Sequence, residues 1–461
     1  MDFNELDNET RIKFVREKVA EFVGSDRLKE AIENAEYYAT RNPDIMKRRK
    51  IYAAATGEGN SLKAVAKENK FASNEKVASS FFRDITDAKV QYLAGEGADI
   101  NAYSDDDSEN ERVKEVTSAL GEQLKRTEQA ALTDALIYRR GYAYLQVIDG
   151  KLKLTHIPFR EVIPLYDRFG NLKSVIRYYK AQGEEYAEYH TPEMVYTFER
   201  NKKERNNSGW KFEGERYQII TVTKYGTGEV VPSGGKGWSR LPWFEMKHNN
   251  DGTSSLTPSA KSMIKCYDIT VSDFANNLID IQDVFINIKD SYGSGMDYGE
   301  TLEMLRNFKV GDGVDSVTTF EVPYLARKEL LNVMKADIYA ALRGVDVGRI
   351  SSGTLTNTAI RALYSDIDLW ADLAEWHLGD WVRDIAQTVA DYLAVELPQI
   401  KVTFTRRAIF DEVEKMNAIA AQKGIISDKT LLENHPLVTD AQAEMERIAA
   451  QELDPSYSAA M

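Results

Sequence analysis

The sequence has 461 residues, which is enough for two or three folded cores. Its hydrophobic content of 43% and aromatic content of 10% are those of a folded protein. The 59 basic and 73 acidic residues give a net charge of −14, which argues against a tight DNA binder, because such proteins gain affinity from clustered Lys and Arg. The charge leaves open a surface past which DNA slides without sticking.

The first 138 residues are predicted to be mostly helical. Residues 1–10 are acidic and polar and lack the apolar core of a signal peptide. No window reaches the ~18 uninterrupted apolar residues of a membrane span, so we expect a cytosolic chain at synthesis. The basic run Lys47-Arg48-Arg49-Lys50 indicates a solvated surface, with phosphate contact as the alternative.

From residue 140 the apolar pattern changes to a period of two. Residues 140–244 alternate, are rich in tyrosine and contain Asp149-Gly150 as a hairpin turn, which predicts an antiparallel β region. The glycines around Lys236 do not form a phosphate loop, because Gly237 stands where Ser or Thr is needed. Helices on both sides of a β region predict the α+β class.

A long apolar helix is predicted to begin near Thr257. Its apolar residues are spaced alternately by four and three, which is a heptad seam meant for a helix neighbour. The seam consists of Tyr267, Val271, Phe274, Leu278, Ile281, Phe285 and Ile288. The single cysteine, Cys266, lies in this run and excludes a disulfide framework. We expect Cys266 to be a small buried hydrophobe.

A compact insert separates this helix from a returning helix over residues 325–342. The insert, residues 290–323, is too small for a core of its own. A Gly/Ser/Thr-rich segment, residues 344–357, has the composition of a mobile loop. A helix over residues 358–392 carries three tryptophans, and a strand over residues 400–405 comes after it.

No motif for catalysis or metal binding stands out. The five histidines lie on separate elements without the spacing of metal ligands. Acid pairs such as Asp366 and Asp368 are interpreted as solvated surface residues, and His377 on an apolar stripe as a core histidine. We therefore predict no enzyme activity, no metal and no cofactor.

Four patches, in order along nearly the whole chain, resemble the portal proteins of tailed bacteriophages, on the siphophage branch. They are Tyr-Tyr at 37–38 with Asn-Pro-Asp-Ile at 42–45 and Arg48, Tyr-Leu-Ala-Gly at 92–95, Gly-Tyr-Ala-Tyr at 141–144 with Pro-Leu-Tyr-Asp at 164–167, and Gly-Val-Asp at 344–346 with Ser-Gly at 352–353. The glycine that the family often carries in the first patch is absent. Each patch is short, and their order and spacing carry the resemblance.

The resemblance implies a mostly helical α+β portal fold and a ring of about twelve subunits at one capsid vertex. Each subunit would be divided into wing, stem, clip and crown. By position the segments are 1–255 for the wing with its β-rich part at 140–244, 256–289 for the first stem helix, 290–324 for the clip, 325–344 for the second stem helix, 345–357 for the tunnel loop, 358–409 for the long wing helix and strand, and 410–461 for the crown.

The function implied is a conduit for double-stranded DNA during packaging and ejection. The implied partners are other copies of the chain, double-stranded DNA held non-specifically and transiently, the terminase large subunit, a head–tail adaptor, and the major capsid and scaffolding proteins, with no membrane. The protein would occupy the host cytoplasm during assembly and then the virion.

Arg349 is the first candidate for contact with DNA, because it is the isolated cation of the tunnel loop and a few cations per ring suffice to centre a duplex. Arg343 is the second candidate, and an ion pair between subunits is the alternative for both. The polar loop residues beside them are Ser351, Ser352, Thr354 and Asn357. In the clip, the acids that could meet the terminase or the adaptor, or simply face solvent, are Asp297, Glu300 and Glu303.

Two other classes of function remain open. One is a nucleic-acid-processing enzyme, such as a nuclease with dispersed acids. The other is a helical ring or scaffold protein without DNA passage. The mass of the native particle separates a ring from a monomer, and metal-dependent cleavage of DNA would indicate the enzyme.

Overall fold

The structure is a computed structural model. It describes residues 3–49, 51–56, 63–68, 73–104, 106–148, 150–200, 209–224, 230–280, 285–288, 314–318, 324–346, 348 and 357–406, and short pieces between 419 and 449. Over this part of the chain no helix is long and apolar enough to cross a membrane.

The described residues form helices and antiparallel sheets, which confirms the predicted α+β class. The helices are α1 (Asn8–Gly24), α2 (Asp26–Tyr38), α3 (Pro43–Met46), α4 (Phe81–Ala94), α5 (Asp107–Ser118), α6 (Glu122–Tyr138), α7 (Pro258–Asp280), α8 (Tyr324–Ala341), α9 (Asn357–Leu393) and α10 (Asp428–Glu433). The strands are β1 (Ile51–Thr56), β2 (Lys63–Glu68), β3 (Ala98–Ala102), β4 (Gly141–Ile148), β5 (Lys151–Ile157), β6 (Val162–Tyr166), β7 (Leu172–Ala181), β8 (Glu184–His190), β9 (Met194–Arg200), β10 (Trp210–Tyr217), β11 (Ile219–Lys224), β12 (Val230–Lys236), β13 (Trp243–Met246), β14 (Phe285–Ile288), β15 (Val314–Thr318) and β16 (Ile400–Phe404).

The chain divides into two compact units. The first comprises residues 1–345 and 366–406, and the second comprises residues 346–365 and 407–461. In the second unit, Ser427 caps α10 by accepting a hydrogen bond from the Thr430 backbone N–H at 3.3 Å.

The predicted β region is confirmed as antiparallel sheets. A five-stranded sheet has the order β10-β9-β8-β7-β6, and a three-stranded sheet has the order β13-β4-β5. Helix α6 approaches β4 so closely that a Cβ at Gly141 would lie 1.9 Å from the carbonyl oxygen of Ala131. Only glycine fits at this position.

Several apolar cores hold the first unit together, and two of them place its helices. In one, Val15, Val19 and Phe22 of α1 pack on the five-stranded sheet. The other joins five helices, α2, α4, α6, α7 and α8, through buried apolar side chains; these include Tyr37, Phe82, Ile85, Ile137, Ile264, Ile338 and Leu342. The second core therefore holds α7 against α8.

The first long helix is shorter than predicted. α7 ends at Asp280, and residues 285–288 form β14, which pairs antiparallel with β15. Phe285 and Ile288 kept the heptad spacing, but this aromatic and β-branched run has a high propensity for a strand. The predicted seam position Ile281 lies outside the described residues.

The expectation that Cys266 is buried is wrong, since its side chain is exposed. It lies two residues after the buried Ile264, about 200° round the helix, and is therefore on the opposite side of α7. His377 is likewise no core residue: it is half-buried, and its ring Nε2 lies 2.9 Å from Asn250 Oδ1.

One carboxyl group of α6 lies in the interior. Glu128 is fully buried; its Oε2 accepts a hydrogen bond from the Ala98 backbone N–H at 3.2 Å, and its Oε1 has no hydrogen-bond partner. Burial raises the pKa of Glu128 from 4.5 to about 8. The folded protein therefore binds a proton that the unfolded chain releases between these pH values, and stability falls as pH rises through them.

We predict that Glu128→Gln removes this loss because the amide is neutral at every pH. The gain in unfolding free energy relative to the parent should be larger at pH 8.5 than at pH 5, by roughly 4 kcal/mol. Denaturant unfolding at both pH values measures it. The control is Glu122→Gln on the exposed start of α6, and equal gains for Glu128→Gln at both pH values would contradict the prediction.

Candidate functional site

Most of the residues predicted to act on DNA or partners lie outside the described residues. These are Arg349, Ser351, Ser352, Thr354, Asp297, Glu300 and Glu303. Asn357 is the first residue of α9. Arg343 is described and is exposed directly after α8. The roles assigned to all of them stay predictions.

Arg343 terminates α8 in a left-handed conformation, with φ of 50°. Its backbone N–H donates to Ala340 O at 3.0 Å, and the Gly344 N–H donates to Tyr339 O at 2.8 Å. These two bonds form a Schellman motif, in which glycine is the usual left-handed residue. The arginine thus occupies a position that costs a side-chain residue about 1 kcal/mol.

A buried amine lies near Arg343. Lys89 of α4 is 2% exposed, and its Nζ lies 3.1 Å from Ser255 Oγ and 5.0 Å from the centre of the Trp370 ring. Burial first, and then the positive charge of Arg343, lower the pKa of Lys89 to about 7. The Arg343 guanidinium therefore contributes to the lowered pKa of the buried Lys89 amine.

Helices α7 and α8 pack side by side near their junction with the rest of the first unit. Phe81 of α4 lies 4.9 Å from the Tyr267 ring and 5.8 Å from the Tyr339 ring. Ile338 and Leu342 are fully buried on this side. The apolar side of α8 is thus buried at its C-terminal end.

Farther from this junction the same two helices leave apolar side chains exposed. On α8, Leu325 is 78% exposed, Leu330 47% and Val333 49%. On α7, Leu278 is 50% exposed and Ile279 47%. Leu330 and Val333 lie three residues apart and share one side of α8. The described part of a single chain does not cover this face.

A row of polar side chains fixes α7 to a segment that belongs to no helix or strand, residues 73–80. Asp268, Ser272 and Asn276 are buried and spaced four residues apart, which places them on one side of α7. They bind the backbone of alternate residues of the segment. The bonds are Glu75 N to Asn276 Oδ1 (2.7 Å), Asn276 Nδ2 to Glu75 O (3.0 Å), Val77 N to Ser272 Oγ (3.0 Å) and Ser79 N to Asp268 Oδ1 (3.0 Å). We call this row the polar ladder.

The spacing of the ladder side chains along α7 matches the spacing of the segment residues that they bind. Four helical residues rise about 6.0 Å, and two extended residues span about 6.6 Å. The side chains of α7 therefore supply hydrogen-bond partners to the backbone of the segment, as a neighbouring β-strand would. Sequence reasoning missed the ladder, although the four-residue spacing of Asp268, Ser272 and Asn276 was the available signal.

The first sequence patch supplies a second set of bonds to α7. Asn42 Nδ2 donates to Asp268 Oδ2 at 2.8 Å. Arg48 binds Asp273 through both terminal nitrogens, at 2.9 and 3.0 Å. Ile45 between them is fully buried. Arg48, predicted to lie on a solvated surface, is instead a half-buried partner of α7.

A cleft of about 600 Å³ opens beside the start of α7. Its three cations are all paired: Arg139 with Glu30 at 2.8 Å, Lys261 with Glu33 at 2.8 Å, and Lys265 with Asp44 at 3.5 Å. The walls of the cleft are charge-balanced, so they offer no set of free cations to an anion. Among the described residues, no three His, Cys, Asp or Glu side chains are placed to hold a metal ion.

Comparison with known proteins identifies the family. Residues 24–454 match the family described as "Phage portal protein, SPP1 Gp6-like". The chain belongs to this portal protein family. The resemblance inferred from the four patches is thereby confirmed.

Two relatives are portal proteins of phages. The chain is 24% identical over 470 residues to the portal protein of Clostridium phage phiCD119, covering 95% of this chain and 96% of the relative. It is 24% identical over 452 residues to the portal protein of Bacillus phage SPP1, covering 90% and 82%. A solved chain titled "Virion of native gene transfer agent (GTA) particle" aligns at a TM-score of 0.37 and 13% identity over 76% of this chain and 86% of that chain.

Membership of the portal family establishes the role of the chain in the phage particle. Portal proteins are structural components of the phage virion, and the family forms capsid-associated oligomeric rings at the portal vertex. The chain is therefore a portal protein through which the phage genome is packaged.

We predict that Asp268→Asn destabilises the fold by roughly 1–3 kcal/mol, because an amide offers one acceptor oxygen where two donors, Ser79 N–H and Asn42 Nδ2, converge. Denaturant unfolding at pH 7 measures the effect. Asp273→Asn is the control on the same helix, since its half-exposed ion pair contributes about 0–1 kcal/mol. Equal losses of unfolding free energy for the two variants would show that the ladder stabilises the fold no more than the Arg48–Asp273 ion pair does.

Proposed function

We propose that about twelve copies of the chain form a ring in which α7 and α8 are the stem helices around a DNA channel. The observation that carries the proposal is the exposed apolar face of these helices, centred on Leu330 and Val333. An apolar face that one chain leaves open is covered when a neighbouring subunit packs on it. The division of the subunit into wing, stem, clip, tunnel loop and crown belongs to this proposal.

The channel would pass duplex DNA without holding it. A net charge of −14 repels phosphates, so DNA does not adhere to the wall. A few cations repeated round the ring are enough to centre the duplex. Arg349 of the tunnel loop is the first candidate and Arg343 the second, with Ser351, Ser352, Thr354 and Asn357 as polar neighbours. The exposed position of Arg343 at the root of this loop supports its candidacy.

The remaining partners are those that the place of a portal in a capsid requires. The clip, with Asp297, Glu300 and Glu303, would dock the terminase large subunit during packaging and the head–tail adaptor afterwards. The ring would bind major capsid and scaffolding proteins while it assembles in the host cytoplasm. Hydrolysis of ATP would belong to the terminase, and this chain would carry no catalytic centre, metal or cofactor.

We expect the stem face to control assembly. Twelve copies of the 52.2 kDa chain give a particle of about 630 kDa. The double variant Leu330→Gln, Val333→Gln should shift the mass distribution toward monomer, since polar side chains lose the apolar burial between neighbours. Mass photometry measures this shift. Val23→Gln, at a 51% exposed position of α1, is the control. A wild-type chain that stays monomeric would contradict the proposed ring itself.

We expect loss of the loop cations to impair packaging rather than assembly. Arg349→Ala, and more strongly Arg343→Ala with Arg349→Ala, should form rings of normal mass but reduce DNase-protected DNA at least a few-fold, because the duplex loses its phosphate contacts. The matched control is Arg343→Lys with Arg349→Lys, which keeps the charges. Normal packaging and genome retention by the alanine variants would remove both arginines from the mechanism.

A further inference from the structure

The long helix α9 carries an apolar stripe that its own unit does not bury. Trp376 is 79% exposed and Leu369 is 62% exposed. They lie seven residues apart, hence on one side of the helix and about 10 Å from each other along its axis. Leu373 between them is half-buried. We call these three residues the tryptophan stripe.

The stripe is separate from the core face of α9. That face contains Trp370, Leu378 and Trp381, all at most 5% exposed. It is also fixed by polar contacts, since the Tyr92 hydroxyl donates to Asp368 Oδ1 at 2.5 Å. The helix is therefore already held in its unit without Leu369 and Trp376, whose side chains are mostly exposed. Exposed tryptophan is uncommon on free surfaces and enriched in protein interfaces.

Acids border the stripe and indicate what can bind it. Asp366, Asp372 and Asp380 stand three or four residues from Leu369 or Trp376 and so flank them on the helix. Among the described residues, two arginines lie at this border and both are paired: Arg383 with Asp380, and Arg406 with Asp372 and Glu375. The acids still outnumber the cations, so the border is acidic. Phosphate is repelled by such a border, which excludes nucleic acid. An apolar or aromatic protein surface with a cation at its edge fits it.

The first unit of the chain carries such a surface elsewhere. Phe169, at the tip of the β6–β7 hairpin, is 74% exposed, and the guanidinium carbon of Arg168 lies 4.8 Å from the centre of its ring. Tyr166 beside it is 43% exposed. The tip is thus aromatic with a cation stacked on it, which is the chemical complement of the tryptophan stripe.

The hairpin tip is rigid, which suits it to binding. Asp167 Oδ1 accepts hydrogen bonds from the backbone N–H groups of Phe169 and Asn171, both at 2.8 Å. The Asp167 N–H donates to Asn171 O at 2.9 Å, and Gly170 supplies the left-handed residue with φ of 87°. A turn fixed before binding loses little conformational entropy when it docks.

We propose that the tryptophan stripe of one copy receives the Phe169 hairpin tip of the next copy in the ring. The two surfaces differ, so the contact is head-to-tail, and a head-to-tail contact generates a closed ring when the rotation between successive copies closes. Phe169 packs on Trp376 and Leu369, and Arg168 lies against the bordering aspartates. This contact rests on the proposed ring and adds a subunit interface separate from the exposed face of α8.

Disulfide trapping tests the contact directly, because Cys266 is the only cysteine. In a Cys266→Ser background of the full-length chain, Phe169→Cys and Trp376→Cys together should give a ladder of covalent multimers on a non-reducing gel after mild oxidation. Each cysteine alone should give no ladder. A disulfide within one chain, or no multimers from rings of normal mass, would overturn the proposal.

Dilution of the ring gives the energetic test. Phe169→Ala and Trp376→Ala should each raise the concentration of half-dissociation at least tenfold, and the double variant should be little worse than the weaker-binding single variant, because both remove one contact. Tyr103→Ala, at a 70% exposed aromatic position, should change it less than twofold. Thermal unfolding of the dissociated subunit should stay unchanged, since all three side chains are exposed in the single chain.

Three results would count against the contact or its basis. Rings that dissociate as the wild type does would overturn the contact while leaving the proposed function intact. Variant rings that stay intact but fail to enter procapsids would assign the stripe to a capsid or scaffolding protein instead, and overturn the contact between copies. A wild-type chain without rings would reject the proposed function itself.

Discussion

The position of α7 depends on the polar ladder. Without a strand partner, the backbone N–H and C=O groups of the segment at residues 73–80 would lose their protein hydrogen bonds, and each part-buried bond is worth about 0.5–1.5 kcal/mol. Asp268, Ser272 and Asn276 satisfy them from the side of a helix. Because each of the three meets a different residue of the segment, the ladder fixes both the rotation and the height of α7. Arg48 and Asn42 hold the same helix from a second direction.

The placement of α7 in turn determines the placement of α8 and of the residues after it. α8 packs on α7, and the Schellman motif at Arg343 ends α8 at a defined residue. A Cβ at Gly344 would lie 2.8 Å from the side chain of Ile85, so the backbone passes close to α4 at this point. The root of the proposed tunnel loop is thereby tied to the same core as the stem.

Periodicity predicted the elements whose patterns are unambiguous. The β region, α8, α9 and β16 were expected from alternation or helical spacing, and residues 37–48, noted as a family patch, turned out to hold α7.

Two predictions from the apolar pattern of the first long helix were wrong. Phe285 and Ile288 were assigned to a helix, although a heptad spacing of apolar residues also suits a short strand. Cys266 misled because its neighbours are apolar while its own side of the helix is exposed. The four-residue spacing of the ladder side chains could be read from the sequence, but their partner could not, since it is backbone about 200 residues away. The roles of Arg349 and the clip acids rest on the family resemblance alone.

Electron cryo-microscopy of the assembled particle is the most direct test of the proposed ring. We predict a closed ring whose stem helices line a channel wide enough for duplex DNA. Leu330 and Val333 should be buried against the adjacent subunit, and Asp268, Ser272 and Asn276 should hold residues 75–79 within each subunit. A ring in which the α8 face remains exposed to solvent, or a channel too narrow for a duplex, would contradict the proposal.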